Sequence, residues 1–279
     1  MKLASLKSGR DGQLIVVSRD LSRAVSAAAI APTLQAAMDN WAECEPKLSA
    51  LFNELQAATV EGEFAFEPQR ASAPLPRSYH WADGSAYVTH VELVRKARGA
   101  ELPDSFWTEP LMYMGASDAF IGANEDVLAE SEEWGIDFEA EVVVFTDDVP
   151  AGIKAQQARK HIKLLALVND VSLRNLIPAE LAKQFGFYQS KPQTSFTPVA
   201  VTPDELGDAR PLLERALAEN PEQPFIHHGI GLVLAAAGES ARAEAAFEDE
   251  VRILPPAITS RRELVKLYAA QGRYDDQLA

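Results

Sequence analysis

Residues 135–146 read GIDFEAEVVVFT, and residues 162–170 read IKLLALVND. These two stretches decide the fold of the middle of the chain. EAEVVVF is apolar and β-branched and is bounded by turn chemistry, which predicts a strand. IKLLALVND predicts a second, buried strand ending on a polar pair, Asn169-Asp170. Glu139 and Glu141 are two apart, so strand alternation puts both carboxylates on one face, about 7 Å apart. Two anions facing inward beside a run of valines require a counter-charge. A divalent cation supplies it most simply; a solvent-facing strand edge is the other reading of the pair. Asp170 at its strand end is either a ligand or a turn residue. Asp83, in HWADGSAYVTHVE, is either a ligand or part of an Asp-Gly turn. An all-carboxylate set points to a hard cation, Mg²⁺ or Ca²⁺ or Mn²⁺, rather than structural zinc.

Working outward, Ala155 to His161 predicts a short polar helix. LIPAELAKQFG (176–186) predicts a helix stopping at Gly186. SFTPVAVTP (195–203) predicts a short strand bounded by prolines. Towards the N-terminus, KLASLK and QLIVVS flank a Gly-Arg-Asp-Gly turn and predict a hairpin. From Pro32 to Ala58, Leu34, Met38, Trp41, Leu48, Leu51, Phe52 and Leu55 recur at helical spacing, with Pro46 expected to kink or divide the helix. FAFEPQRASAPLPRS (64–78) reads as a linker or an extended edge.

From Ala209 the pattern changes to helix, and it repeats. Pro221 recurs as Pro255, Gly238 as Gly272, Leu234 as Tyr268, Ala235 as Ala269 and Leu213 as Phe247, each 34 residues later. That period is the tetratricopeptide (TPR) length, against the alternative of a generic alanine-rich bundle. About one and a half repeats are present, fewer than a solenoid needs to bury its core.

Charge narrows the function class. The net charge is −15; the first 208 residues carry 30 acidic and 18 basic side chains, and the remainder 11 and 8. Such a chain repels nucleic acid and anionic membranes. The clusters Arg95-Lys96-Ala97-Arg98 and Arg159-Lys160-His161 read as solvated faces. No run reaches the about 18 uncharged apolar residues of a membrane span. The N-terminus lacks the apolar centre of a signal peptide. Cys44 is the single cysteine, which excludes an internal disulfide and fits a reducing cytoplasm. It reads as an ordinary thiol, and the adjacent pair His227-His228 does not read as a metal site.

In order along the chain stand Asp83 and His90, seven residues apart, then Tyr113-Met114-Gly115, Glu139 and Glu141, Asn169-Asp170, and Lys191 in QSKPQTSFTP. Each motif is weak alone. Their ordered combination resembles the fumarylacetoacetate hydrolase family, and residues 1–77 resemble the small N-terminal domain of one bacterial branch of it. By position, the resemblance implies that Asp83, Glu139, Glu141 and Asp170 hold a Mg²⁺ (or Ca²⁺ or Mn²⁺) ion. It implies that Lys191 neutralises substrate oxygens and that His90 activates water as a general base. Tyr113 would line the substrate pocket and Arg98 bind a substrate carboxylate. The implied reaction is hydrolysis of a carbon–carbon bond in a 1,3-dioxo, acylpyruvate-like acid of the kind met in aromatic catabolism, with the ion chelating both oxygens. A homodimer is a further expectation.

The pattern breaks near Asp208, where the family continues with further strands. The expected architecture is therefore α+β: an N-terminal α+β domain over 1–77, an incomplete β-rich catalytic fold over 78–208, and a TPR-like helical hairpin segment over 209–279. Two functions follow. One is a metal-dependent enzyme acting on a small oxo-acid. The other is a catalytically defective truncated or fused chain whose helical tail binds a protein partner.

Overall fold

In the computed structural model the described residues are 1–84, 91, 95–96, 99, 109, 111–206, 215, 217–218, 220–221, 226–236, 238–254 and 258–273. The chain forms two compact units, 1–205 and 206–279. The first mixes strand and helix, as an α+β fold requires.

In the first unit, strands β1 (Lys2–Leu6) and β2 (Gln13–Val17) form the expected antiparallel hairpin, in register from Lys2↔Val17 to Leu6↔Gln13. Strand β3 (Arg23–Ser26) pairs with β2. Helix α1 (Leu34–Asp39) is capped by Thr33, whose side chain accepts from the Ala36 amide. Helix α2 (Trp41–Gln56) follows at once. The break thus falls at Asn40, and α2 runs through Pro46. Its buried stripe Cys44, Leu48, Phe52 and Leu55 explains this: burial of one continuous face outweighs the hydrogen bond that proline removes. Cys44 is free and buried.

Residues 64–78 resolve as an extended edge. After β4 (Phe64–Ala65), the chain lies along β1, with Lys7 N–H donating to Arg70 O and Ser72 N–H to Ser5 O at 2.9 and 3.0 Å. Strands β5 (Ala82–Gly84) and β6 (Met112–Met114) pair with each other. Strand β7 (Ile121–Gly122) joins the main sheet, and β8 (Ile136–Asp137) pairs outside it with a short strand after Asp170.

The decisive strands are β9 (Ala140–Thr146) and β10 (Ile162–Asn169), antiparallel, with Glu141 opposite Val168 and Ala140 opposite Asn169. Between them lies α3 (Ala155–Ala158), continued by a turn of 3₁₀ helix to His161. The short strand after Asp170 is β11 (Ser172–Leu173). Helix α4 (Ile177–Leu181) ends five residues before Gly186, shorter than expected; Gln184 beyond it takes a left-handed φ of 63°. The SFTPVAVTP stretch makes two short strands, β12 (Ser195–Phe196) and β13 (Ala200–Val201), with Pro198 between them. The main sheet runs β4-β3-β2-β1-β13-β10-β12-β7, with β9 also on β10. Residues 1–77 and 78–205 therefore share one sheet through the β1–β13 pairing, Lys2↔Val201 and Leu3↔Ala200.

The second unit contains α5 (Ile226–Ala236), α6 (Ser240–Ile253) and α7 (Ile258–Ala270). Ile230, Leu234, Ala243, Phe247, Leu264 and Tyr268 form its core. The ends of α5 and α7 repeat each other. Gly238 N–H donates to Ala235 O and Glu239 N–H to Leu234 O; 34 residues on, Gly272 donates to Ala269 O and Arg273 to Tyr268 O. Both glycines are left-handed, at φ 79° and 71°, the conformation this cap requires. His227 bonds Pro221 O and His228 bonds Ser260 Oγ. No helix among the described residues is long and apolar enough to cross a membrane.

Candidate metal centre

The β9–β10 pairing carries Glu141 and Asp170 to the same end of the sheet. Asp170 follows β10 directly and is 1% exposed. The short β5–β6 ladder delivers two more residues: Asp83 and Tyr113 are direct cross-strand partners, so their side chains share a face. The Tyr113-Met114-Gly115 motif has a steric reason for its glycine. A Cβ at Gly115 would stand 2.4 Å from Cδ1 of Trp81, while Gly115 N–H donates to Trp81 O at 3.1 Å. Trp81 packs edge-on against Phe120 at 5.2 Å and beside Phe196 at 5.7 Å. That aromatic cluster anchors the segment bearing Asp83.

Asp83, Glu141 and Asp170 each offer a carboxylate oxygen, and the three atoms lie within 4.8 Å of one another. Oxygens bound to one divalent ion at about 2.0–2.6 Å stand no more than about 5 Å apart, and an all-oxygen set suits a hard cation. The residues therefore fit such an ion.

Asp170 is heavily hydrogen-bonded. Its Oδ1 accepts from Thr194 Oγ1 at 3.0 Å; its Oδ2 accepts from Lys191 Nζ at 2.7 Å and Tyr113 OH at 3.2 Å. Glu139, expected as a ligand beside Glu141, lies next to this group but is not one of the three converging carboxylates. It accepts from Lys191 Nζ at 2.7 Å and pairs with Arg174, which also holds Asp137 at 2.8 Å. Its backbone is fixed to the strand end: Glu139 N–H donates to Asn169 Oδ1, and Glu139 O accepts from Asp170 N–H.

The electrostatics follow this geometry. Burial opposes ionisation of Glu139, but hydrogen bonds from Lys191 and Arg174 overcome it, and its carboxyl sits below the usual range. Burial pushes Glu141 up to about 7, helped by Asp83, Asp170 and Glu139. Burial and Asp170 likewise raise Asp83. Tyr113 is raised by burial and the two aspartates, so its hydroxyl stays protonated. Burial works against the Lys191 ammonium, but Asp170 and Glu139 raise it overall.

The structure thus brings together Asp83, Tyr113, Glu139, Glu141, Asp170 and Lys191. His90 and Arg98 lie outside the described residues. Arg174 and Thr194 were not expected. Thr194, three residues after Lys191, carries no signal of its own. Arg174, four residues past Asp170 in NDVSLRN, was legible only as a basic residue close to an expected acidic site.

The profile of the fumarylacetoacetase N-terminal domain 2 matches residues 1–77, and that of the fumarylacetoacetate hydrolase C-terminal domain matches residues 79–244. The second match alone covers more than half of the chain. A stretch of 110 residues is 34% identical to the 2,4-didehydro-3-deoxy-L-rhamnonate hydrolase of Sphingomonas sp. (strain SKA58), covering 38% of this chain and 37% of that protein. The chain thus spans little more than a third of that relative. Among solved structures, the HpcE-type protein of Mycobacterium smegmatis is similar with a TM-score of 0.55 at 20% identity, over 75% of this chain and 69% of that one. The fumarylacetoacetate hydrolase of psychrophilic Exiguobacterium antarcticum is similar with a TM-score of 0.53 at 16% identity, over 75% and 69%. At these identities the likeness is one of fold, and the profile matches carry the assignment: the chain belongs to the fumarylacetoacetate hydrolase family.

Proposed function

We propose that this chain is a divalent-metal-dependent hydrolase that cleaves a carbon–carbon bond in a 1,3-dioxo, acylpyruvate-like acid. The observation that carries the reading is the convergence of Asp83, Glu141 and Asp170 beside a lysine. The four carboxylates of the site, Glu139 included, face Lys191 and an Arg174 that is shared with Asp137, so negative charge is in excess. A Mg²⁺ or Mn²⁺ ion held by the three converging carboxylates would supply Lewis-acid polarisation of the substrate oxygens. The named activity of the Sphingomonas relative, a hydrolase of an acid substrate, is in keeping with this.

The chain's own residues would contribute as follows. Lys191 presents an ammonium fixed by Glu139 and Asp170, placed to balance negative charge on the substrate. Tyr113 donates to Asp170 and packs edge-on against Phe187 at 4.7 Å, giving the site an apolar wall with one hydroxyl. His90 is proposed as the base that takes a proton from water. The water oxygen bonds to one carbonyl carbon, the carbon–carbon bond breaks, and the leaving carbon is reprotonated. The products are a carboxylic acid and a 2-oxo acid. The test is cleavage of an acylpyruvate with and without added Mn²⁺. Turnover that depends on the ion and disappears in Glu141→Ala supports the reading; folded protein without turnover overturns it.

A second reading concerns residues 206–279. Matching helix caps 34 residues apart, ending α5 and α7, favour a TPR-like module that binds a protein partner. Capture of a defined partner by the full chain, lost on substitution of exposed residues of α5 or α7 such as Leu232 or Val265, is its test. For the molecule as a whole, the buried free thiol of Cys44 fits a cytoplasmic setting.

A further inference from the structure

Glu180 lies near the end of α4 and has no part in the scheme above. Its carboxylate reaches forward over the loop that follows. Oε2 accepts from the backbone N–H of Tyr188 at 3.0 Å and of Ser190 at 3.2 Å, and from the Ser190 hydroxyl at 2.5 Å. Oε1 accepts from Gln189 N–H at 2.7 Å. Three consecutive amides and a hydroxyl thus converge on one carboxylate eight to ten residues earlier. Burial opposes its ionisation, but these bonds hold the group at about 2.

The clamped residues end where the site begins. Ser190 is fully buried, and its carbonyl accepts from Leu173 N–H at 2.8 Å, which ties the loop to the segment following Asp170. Lys191 is the next residue. Its Nζ stands 2.7 Å from both Glu139 and Asp170. A lysine side chain has four rotatable bonds and a compact ammonium. Where that ammonium stands depends on a fixed Cα. The loop itself contains two left-handed residues, Gln184 at φ 63° and Gly186 at φ 95°. Left-handed φ at a non-glycine residue persists only where the surroundings enforce it.

We propose that Glu180 is a positioning residue: by gripping residues 188–190 it sets the place of the Lys191 ammonium between Glu139 and Asp170. The consequence for turnover rests on the hydrolase reading above; the placement of Lys191 does not.

The experiment is reductive methylation of the full-length chain, with rates at individual lysines followed by mass spectrometry, alongside acylpyruvate turnover. Glu180→Gln keeps the shape and removes the charge. Ser190→Ala removes one of the four donors. Glu180→Asp retains a carboxylate. The account expects Lys191, whose side chain is 12% exposed, to be methylated several-fold faster in Glu180→Gln and to a lesser degree in Ser190→Ala. Glu180→Asp should restore much of the protection, and Lys163, paired with Asp147, should label at the original rate throughout. Turnover should fall about tenfold in Glu180→Gln, in kcat more than in KM, as for residues that orient those at a metal. Unchanged Lys191 labelling in folded Glu180→Gln overturns the proposal, whatever the turnover. If that variant does not fold, unchanged labelling in Ser190→Ala does the same. An unmodified chain without turnover removes the hydrolase reading and leaves the labelling to decide this one.

Discussion

Glu139 and Glu141 are two residues apart, and their surroundings are opposite. Glu139 is gripped by Lys191 and Arg174 and ionises below the usual carboxylate range, whereas Glu141 faces Asp83 and Asp170 and is pushed up to about 7. One side chain belongs to a completed set of ion pairs. The other belongs to a group of like charges brought together by two separate strand pairings. The group around Glu141 holds three converging carboxylates with one of them, Asp170, paired to Lys191; Glu139 is paired to both Lys191 and Arg174. In the proposed reading the E-x-E motif therefore combines two roles, Glu141 in the group that would hold the ion and Glu139 in an ion pair with the lysine beside it.

The largest effect that would break this comparison is on turnover. Glu141→Ala or Asp170→Ala should lower acylpyruvate cleavage by more than about a hundredfold, beyond the range for residues one layer further from a metal, in steady-state assays with Mn²⁺. Equal activity in the variants would dissolve the distinction. Next is linkage to stability. An ion that binds only the folded chain adds about 2.7 kcal/mol at a hundred times its Kd. The thermal midpoint should rise with Mn²⁺ in the parent chain and stay level in Glu141→Ala.

Glu139→Gln sharpens the comparison from its other side. It leaves the three-carboxylate group intact but takes a charged partner from Lys191 and Arg174, at a cost of about 2 kcal/mol in urea unfolding. Tyr113→Phe removes a single donor to Asp170 and should cost about 1 kcal/mol. The smallest effect is in pH. Folded Glu141 keeps its proton up to about 7, while the unfolded chain releases it near the ordinary 4.5. Between those values the folded state binds more protons, so without metal this group's contribution to stability falls as pH rises from about 4.5 to 7. Denaturation midpoints of the parent and Glu141→Gln, compared across that window, should differ in slope, and Mn²⁺ should reduce the difference by favouring the ionised form.

The strands were readable because their signal is local. QLIVV, EAEVVVF and IKLLALVN each carry β-branched or aliphatic runs with turn chemistry beside them, and all three became strands. The helix break was misread because proline is a strong local signal, and a buried face overrode it: Cys44, Leu48, Phe52 and Leu55 carry α2 through Pro46, while the chain breaks at Asn40. Helix α4 was overestimated for a related reason. AELAKQFG has helical composition, but the Lys183 and Gln184 amides bond only three residues back, to Glu180 O and Leu181 O, and Gln184 turns left-handed, a tightened end that helix propensity does not register.

The acidic residues of the site were legible as types and in order, and Asp83, Glu141 and Asp170 do converge. Which carboxylate faces which cation was not legible. That depends on Arg174 and Lys191 arriving from segments 35 and 52 residues away from Glu139, and no local pattern encodes such distances. In the helical unit the opposite holds: the 34-residue period read from Gly238 and Gly272 reappears as matching helix caps, because a cap is made within a few residues of its glycine.

The most direct test is calorimetric titration of Mn²⁺ into the parent chain, Glu139→Gln and Glu141→Gln at pH 7.5. The account predicts one ion per chain in the parent, binding retained with reduced affinity in Glu139→Gln, and binding lost in Glu141→Gln. No binding to the folded parent, or equal binding by Glu141→Gln and the parent, would contradict it.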